Sequence, residues 1–133
     1  MKKQAETDKK FYSRVELEEF RRIINDKLEE SRAEYKRLAE SLKAFSGTSA
    51  DSFNFTEYGN ESREKEQVEI LMARQDKFIH NLEKALFRIE NGTYGVCRIT
   101  GKLIPKERLR IVPHATTTVE GKMQQKTRRG LRN

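Results

Sequence analysis

Cysteine, proline and long apolar runs are scarce in this 133-residue chain, and each shortage excludes something. A single thiol, Cys97, rules out an intramolecular disulfide and suits a reducing compartment. No run approaches the ~20 apolar residues that a membrane span needs. The basic start, MKKQAETDKKFYS, lacks the apolar stretch of a secretory signal. A cytoplasmic protein with no membrane partner is expected. Apolar residues make up 35% of the chain, charged residues 37%, and the mean hydropathy is −0.92. That is too polar for a large core, so an elongated fold is expected. Enzyme signatures are absent as well. There is no phosphate-cradling glycine loop and no nucleophile beside an evident base. His80 reads as a helix-surface residue, and His114, after Pro113, as part of a turn. The chain does not read as an enzyme.

What is present is unevenly distributed. Residues 1–91 carry 18 basic and 19 acidic side chains, whereas residues 92–133 carry 10 basic and 2 acidic. Residues 46–60 hold Asp51 and Glu57 and no basic residue. An acidic middle and a basic end suggest two different contacts, one with a polyanion or an acidic surface.

No glycine or proline interrupts the chain between Ser13 and Gly47. Ser13-Arg14-Val15-Glu16 fits a capping box that opens a helix. The series Ile24, Leu28, Ser31, Tyr35, Leu38, Leu42, Phe45 then steps by three and four, a coiled-coil seam with one polar member. A second helix is predicted from near Asn60 to Asn91, with Gly92 as its C-cap. Its seam is Val68, Leu71, Gln75, Phe78, Leu82, Ala85, Ile89, again with one polar member. Each helix is ~46–48 Å long at 1.5 Å per residue. Pairing residues whose numbers add to 106 sets Ile24 on Leu82, Leu28 on Phe78 and the polar Ser31 on Gln75. This coincidence predicts an intramolecular antiparallel hairpin rather than a parallel homodimer. In the connection, Phe53, Phe55 and Tyr58 either cover the open end or form a contact surface.

After Gly92 the pattern changes. TYGVCRITGKLIP has turn signals at Tyr94-Gly95 and Thr100-Gly101, which predict a tiny hairpin. Pro105 can open a short helix over Lys106–Arg110. HATTTVEG is β-branched and predicted extended. KMQQKTRRGLRN reads as a final helix or a frayed basic tail. The expected organisation is an N-terminal segment (1–13), a helical hairpin (14–91) with a tip loop (46–60), a small unit (92–122) and a basic tail (123–133).

A helical hairpin followed by YGVCRITGKLIPKERLRIVPHATTTVEGK resembles the DksA/TraR family of bacterial transcription regulators. The resemblance is strongest over Leu82–Pro113. It implies a mainly α fold, a long antiparallel coiled-coil hairpin with a small C-terminal zinc-finger-like unit. The family's four zinc-binding cysteines fall on Cys97, Thr100, Thr118 and Gly121. Three of four thiolates are therefore missing, and threonine and glycine do not replace them. The expectation is a degenerate finger with no zinc and no other cofactor. It would be held by packing of Tyr94, Val96, Ile99, Leu103, Ile104, Leu109, Ile111 and Val119, with Thr100 and Thr118 hydrogen-bonding across the former site.

The resemblance also implies a partner, RNA polymerase, whose secondary channel would receive the hairpin with its tip near the catalytic centre. The family's tip positions fall on Asn54, Glu57 and Gly59, with Asp51 as a substitute carboxylate. The polymerase-docking positions fall on Arg74, Lys77 and Arg108, all basic. Of the basic positions implied for guanosine tetraphosphate, Lys122 remains, while Asn81 and Val112 are neutral, so a weak or absent response is expected. Direct sequence-specific DNA binding is not expected. Two other readings are open: a basic nucleic-acid- or ribosome-binding coiled-coil protein using residues 122–133, and a scaffold whose tip binds another protein.

Overall fold

A computed structural model of the chain describes residues 10–47 and 55–131. Four helices follow in order: α1 (Arg14–Gly47), α2 (Phe55–Asn91), α3 (Lys106–Ile111) and α4 (Val119–Leu131). Two long helices form a hairpin, and two short ones belong to the C-terminal part. By contacts the chain divides into two compact units, Met1–Asp26 with Leu82–Asn133, and Lys27–Asn81.

The unit built from both chain ends contains most of the buried side chains. α1 opens as its capping box predicts. The Ser13 N–H donates to Glu16 Oε1 at 2.9 Å, and the Glu16 N–H to Ser13 Oγ at 3.2 Å. Leu17, Phe20 and Ile24 on α1 and Leu82, Ala85 and Ile89 on α2 are buried. A groove joins Arg14, Leu17, Glu18 and Arg21 to Ile89, Glu90, Asn91 and Gly92. Leu17 beside Ile89 satisfies the register in which numbers add to 106.

In the Lys27–Asn81 unit, Leu28, Ser31 and Leu38 are buried. A second groove brings Phe45 to Glu61, Ser62 and Lys65. Phe45 and Glu61 on one groove are compatible with the same register, in which Ser31 is expected opposite Gln75. Gln75 Oε1 is buried without a hydrogen-bond partner among the described residues. A buried polar layer of this kind is tolerated where it fixes alignment.

Several expectations need correction. α2 starts at Phe55, not near Asn60, so the interval between the helices is shorter than 46–60. Gly59 sits inside a helix at a cost of about 1 kcal/mol relative to alanine, which Glu57, Glu61 and Arg63 around it can sustain as good helix formers. Val119, Glu120 and Gly121, expected to be extended, form the first turn of α4. The 122/123 boundary also disappears, because α4 runs through it. Ile111 and Val119, expected in the core, are exposed at 78% and 59%.

Candidate functional site

α2 stops where Gly92 adopts φ 77°. There the Gly92 N–H reaches the Ile89 carbonyl at 3.1 Å, and the Thr93 N–H reaches that of Arg88 at 2.9 Å. The turn delivers Tyr94 into the core, fully buried, with its hydroxyl donating to the Pro113 carbonyl at 2.8 Å. Gly95 follows at φ 82°, and a Cβ there would lie 2.6 Å from the Tyr12 ring. Tyr12 donates its hydroxyl to the Ile104 carbonyl and packs edge-on against Phe20, which in turn meets Tyr94. The predicted tiny hairpin is a single antiparallel bridge between Val96 and Leu103, flanked by Cys97 N–H to Lys102 O at 2.8 Å and Ile104 N–H to Gly95 O at 2.7 Å. Two ion pairs tie α1 to α3, Lys106 to Glu16 at 2.7 Å and Arg110 to Glu19 at 3.5 Å.

This framework gathers Cys97, Thr100, Thr118 and Gly121. The Cys97 sulfur is buried and accepts the Thr100 N–H at 3.4 Å and the Thr118 hydroxyl at 3.7 Å. Thr118 is also the N-cap of α4. Its Oγ1 accepts the Gly121 N–H at 2.9 Å, and its carbonyl accepts that of Lys122 at 2.9 Å. Gly121 is packed so closely that a Cβ would lie 2.7 Å from Cys97 Sγ and 3.2 Å from Thr118 Oγ1. Burial pushes the Cys97 thiol up. Hydrogen bonds from the Thr100 side chain and from the backbone of Thr100, Thr118 and Ile99 outweigh it and bring the pKa down to about 6. The positive end of α4 acts in the same direction.

Two further basic side chains of this unit are half-buried. Burial lowers the pKa of Arg88, against an opposing effect of Tyr94. Burial first, and Arg88 second, hold His114 below its usual range, so that it is neutral at pH 7. Neither lies among the four gathered positions, and among the described residues no three His, Cys, Asp or Glu side chains cluster.

The remaining expected positions among the described residues are distributed over α2, α3 and α4. Arg74 and Lys77 are exposed, three residues apart on one face of α2. Arg108, half-buried, donates its Nε to the Thr117 carbonyl at 3.0 Å, and Lys122 is exposed on α4. Asp51 and Asn54 lie outside the described residues. Glu57 and Gly59 fall in the opening turns of α2. Sequence reasoning missed Tyr12, which fell in the N-terminal segment 1–13 with no role assigned. The available signal was its position just before the N-cap, where an apolar residue commonly packs back on the helix.

A family model described as the prokaryotic dksA/traR C4-type zinc finger matches residues 92–120. The chain belongs to the DksA/TraR family. An uncharacterized protein, YteA, of Bacillus subtilis is 44% identical over 57 residues, which are 43% of this chain and 24% of that protein. The RNA polymerase-binding transcription factor DksA of Caulobacter vibrioides is 42% identical over 55 residues, 41% of this chain and 39% of that protein. The matches therefore span well under half of these relatives. The solved structure of transcription factor DksA2 from Pseudomonas aeruginosa has the same fold, with a TM-score of 0.78 over 86% of each chain at 24% identity.

Within the DksA/TraR family the C4 description sets a test for this chain. A tetrahedral structural zinc needs four thiolate or imidazole donors at about 2.0–2.3 Å. Here the four positions offer one sulfur, two hydroxyls and a glycine. The Gly121 backbone also occupies space that a fourth ligand would need, since its Cβ would overlap Cys97 Sγ. The residues do not fit the metal.

Proposed function

We propose that this chain is an RNA polymerase-binding transcription regulator whose knuckle works without zinc. The observation that carries this reading is the family match at 92–120 on a chain whose fold follows a DksA2 structure over 86% of its length. The hairpin enters the polymerase secondary channel. Asp51, Asn54, Glu57 and Gly59 approach the catalytic centre, where a carboxylate has a metal-bound partner. Arg74, Lys77 and Arg108 dock on an acidic rim. Lys122 alone is too little for a multiply charged guanosine nucleotide, because Asn81 and Val112 supply no charge. The response to guanosine tetraphosphate is therefore weak or absent.

What supports a zinc-free knuckle is the replacement chemistry around Cys97. Thr118 caps α4 and donates to the sulfur, and the helix closes on it at Gly121. Metal analysis of the purified chain tests this, and one tightly held zinc per chain would overturn it. For the main reading, the chain should capture polymerase from its own cells. Capture should fail when residues 46–60 are shortened and survive removal of 123–133. Absence of capture by the intact chain would refute it.

A further inference from the structure

α4 presents a row of cations that nothing in the fold uses. Its 13 residues contain one acid, Glu120, and four described bases, Lys122, Lys126, Arg128 and Arg129. At 100° per residue Lys122, Lys126 and Arg129 fall within a 60° arc, a single stripe at i, i+4, i+7. All three are exposed. Gln125 lies beside the stripe, and Arg98 is tied to it by an Nη2 to Oε1 bond at 3.0 Å, which brings a fourth cation to its flank.

Three other cations of the same unit are matched. Lys106 meets Glu16, Arg110 meets Glu19 and Arg21 meets Glu18. No ion pair engages Lys122, Lys126, Arg128 or Arg129 among the described residues. Helix stability explains only part of the row. Arg128 and Arg129 in the last turn complement the helix dipole, but Lys122 stands in the first turn, where a cation is unfavourable. Like charges at i, i+4 also repel. The stripe therefore costs folding free energy and would be relieved by an anionic partner.

We propose that the Lys122–Lys126–Arg129 face of α4, with Arg98 at its edge, binds the phosphate backbone of nucleic acid without reading sequence. From Lys122 to Arg129 the stripe covers about 10 Å of helix axis. One strand of a duplex carries about three phosphates over that length, at 3.4 Å each. The stripe has three cations with no aromatic side chain among them, which suits backbone contact rather than base stacking or groove reading. None of these residues is among Arg74, Lys77 and Arg108, assigned above to polymerase docking, so either role can fail alone.

The test is fluorescence anisotropy of the full chain with a labelled random-sequence 20-base-pair duplex. About three neutralised phosphates predict a slope of log K against log salt near −2.7. Binding should then weaken about 40-fold between 50 and 200 mM salt. Lys126→Gln with Arg129→Gln should cut that loss to about 4-fold and weaken binding at 50 mM, with an unchanged circular dichroism spectrum and unchanged capture of polymerase. Lys122→Gln with Arg98→Gln, a second pair, should act in the same direction. Arg63→Gln with Lys65→Gln, exposed on α2 in the other unit, should change nothing. No binding at 50 mM, a slope unaffected by both α4 pairs, or equal competition by polyglutamate, which marks a surface for acidic protein, would overturn the proposal.

Discussion

Replacing Gly121 with alanine should change the sign of its effect when Cys97 is also replaced. In the native background the added Cβ lies 2.7 Å from Cys97 Sγ and 3.2 Å from Thr118 Oγ1, the hydroxyl that caps α4. Sulfur and cap must both shift, and such overpacking costs about 1–3 kcal/mol. Alanine returns up to about 1 kcal/mol through helix propensity. The net effect of Gly121→Ala is a loss of about 0.5–2 kcal/mol. With Cys97→Ala the sulfur is gone, the new methyl occupies part of its space, and the same change should stabilise by up to about 1 kcal/mol. Urea denaturation followed by tyrosine emission measures all four corners of the cycle. The chain has no tryptophan, and Tyr94 is buried in the same unit. A Gly121→Ala effect of the same sign and size in both backgrounds would refute the close approach of α4 to the sulfur.

Three further outcomes follow from the geometry. Gly95→Ala meets both a positive φ of 82° and the Tyr12 ring. It should cost about 2–4 kcal/mol in urea denaturation, with Tyr12→Ala recovering only the steric part. Gln75→Leu removes an amide oxygen that is buried without a partner among the described residues, and should raise the unfolding free energy in urea by about 1–3 kcal/mol. Hydrogen bonds hold the Cys97 pKa down to about 6, well below that of a free thiol, so its contribution is complete above the unfolded value and is lost as pH falls through about 6. Stability should therefore rise between pH 6 and 8.5, and Cys97→Ser should flatten that rise.

Much of the fold was legible because its signals are local or periodic. Ser13 and Glu16 are three residues apart, and their reciprocal bonds are present. The two seams and their shared register come from spacing alone. What was hidden depends on contacts between distant segments. Val119 reads as extended by its β-branched side chain, yet Thr118 caps a helix there, with its hydroxyl also engaged by a sulfur 21 residues away. Tyr12 reads only as part of the N-terminal segment, but its partner carbonyl is at Ile104, 92 residues on. At the site, the four matched positions were identifiable as a set. Their closure on Cys97 was not, because a glycine carries no sign of what its missing Cβ would touch.

The constant register of the two long helices has a consequence for how such an arm changes length. Ser31 and Gln75 stay opposed only if residues leave or enter both helices in equal number, and the seams stay turned inward only if that number is a whole heptad. Arm length is therefore quantised in steps of about 10 Å. A seven-residue deletion in one helix alone would leave every later layer facing the wrong partner, whereas fourteen residues removed as two matched heptads should leave a shorter hairpin with its layers still matched.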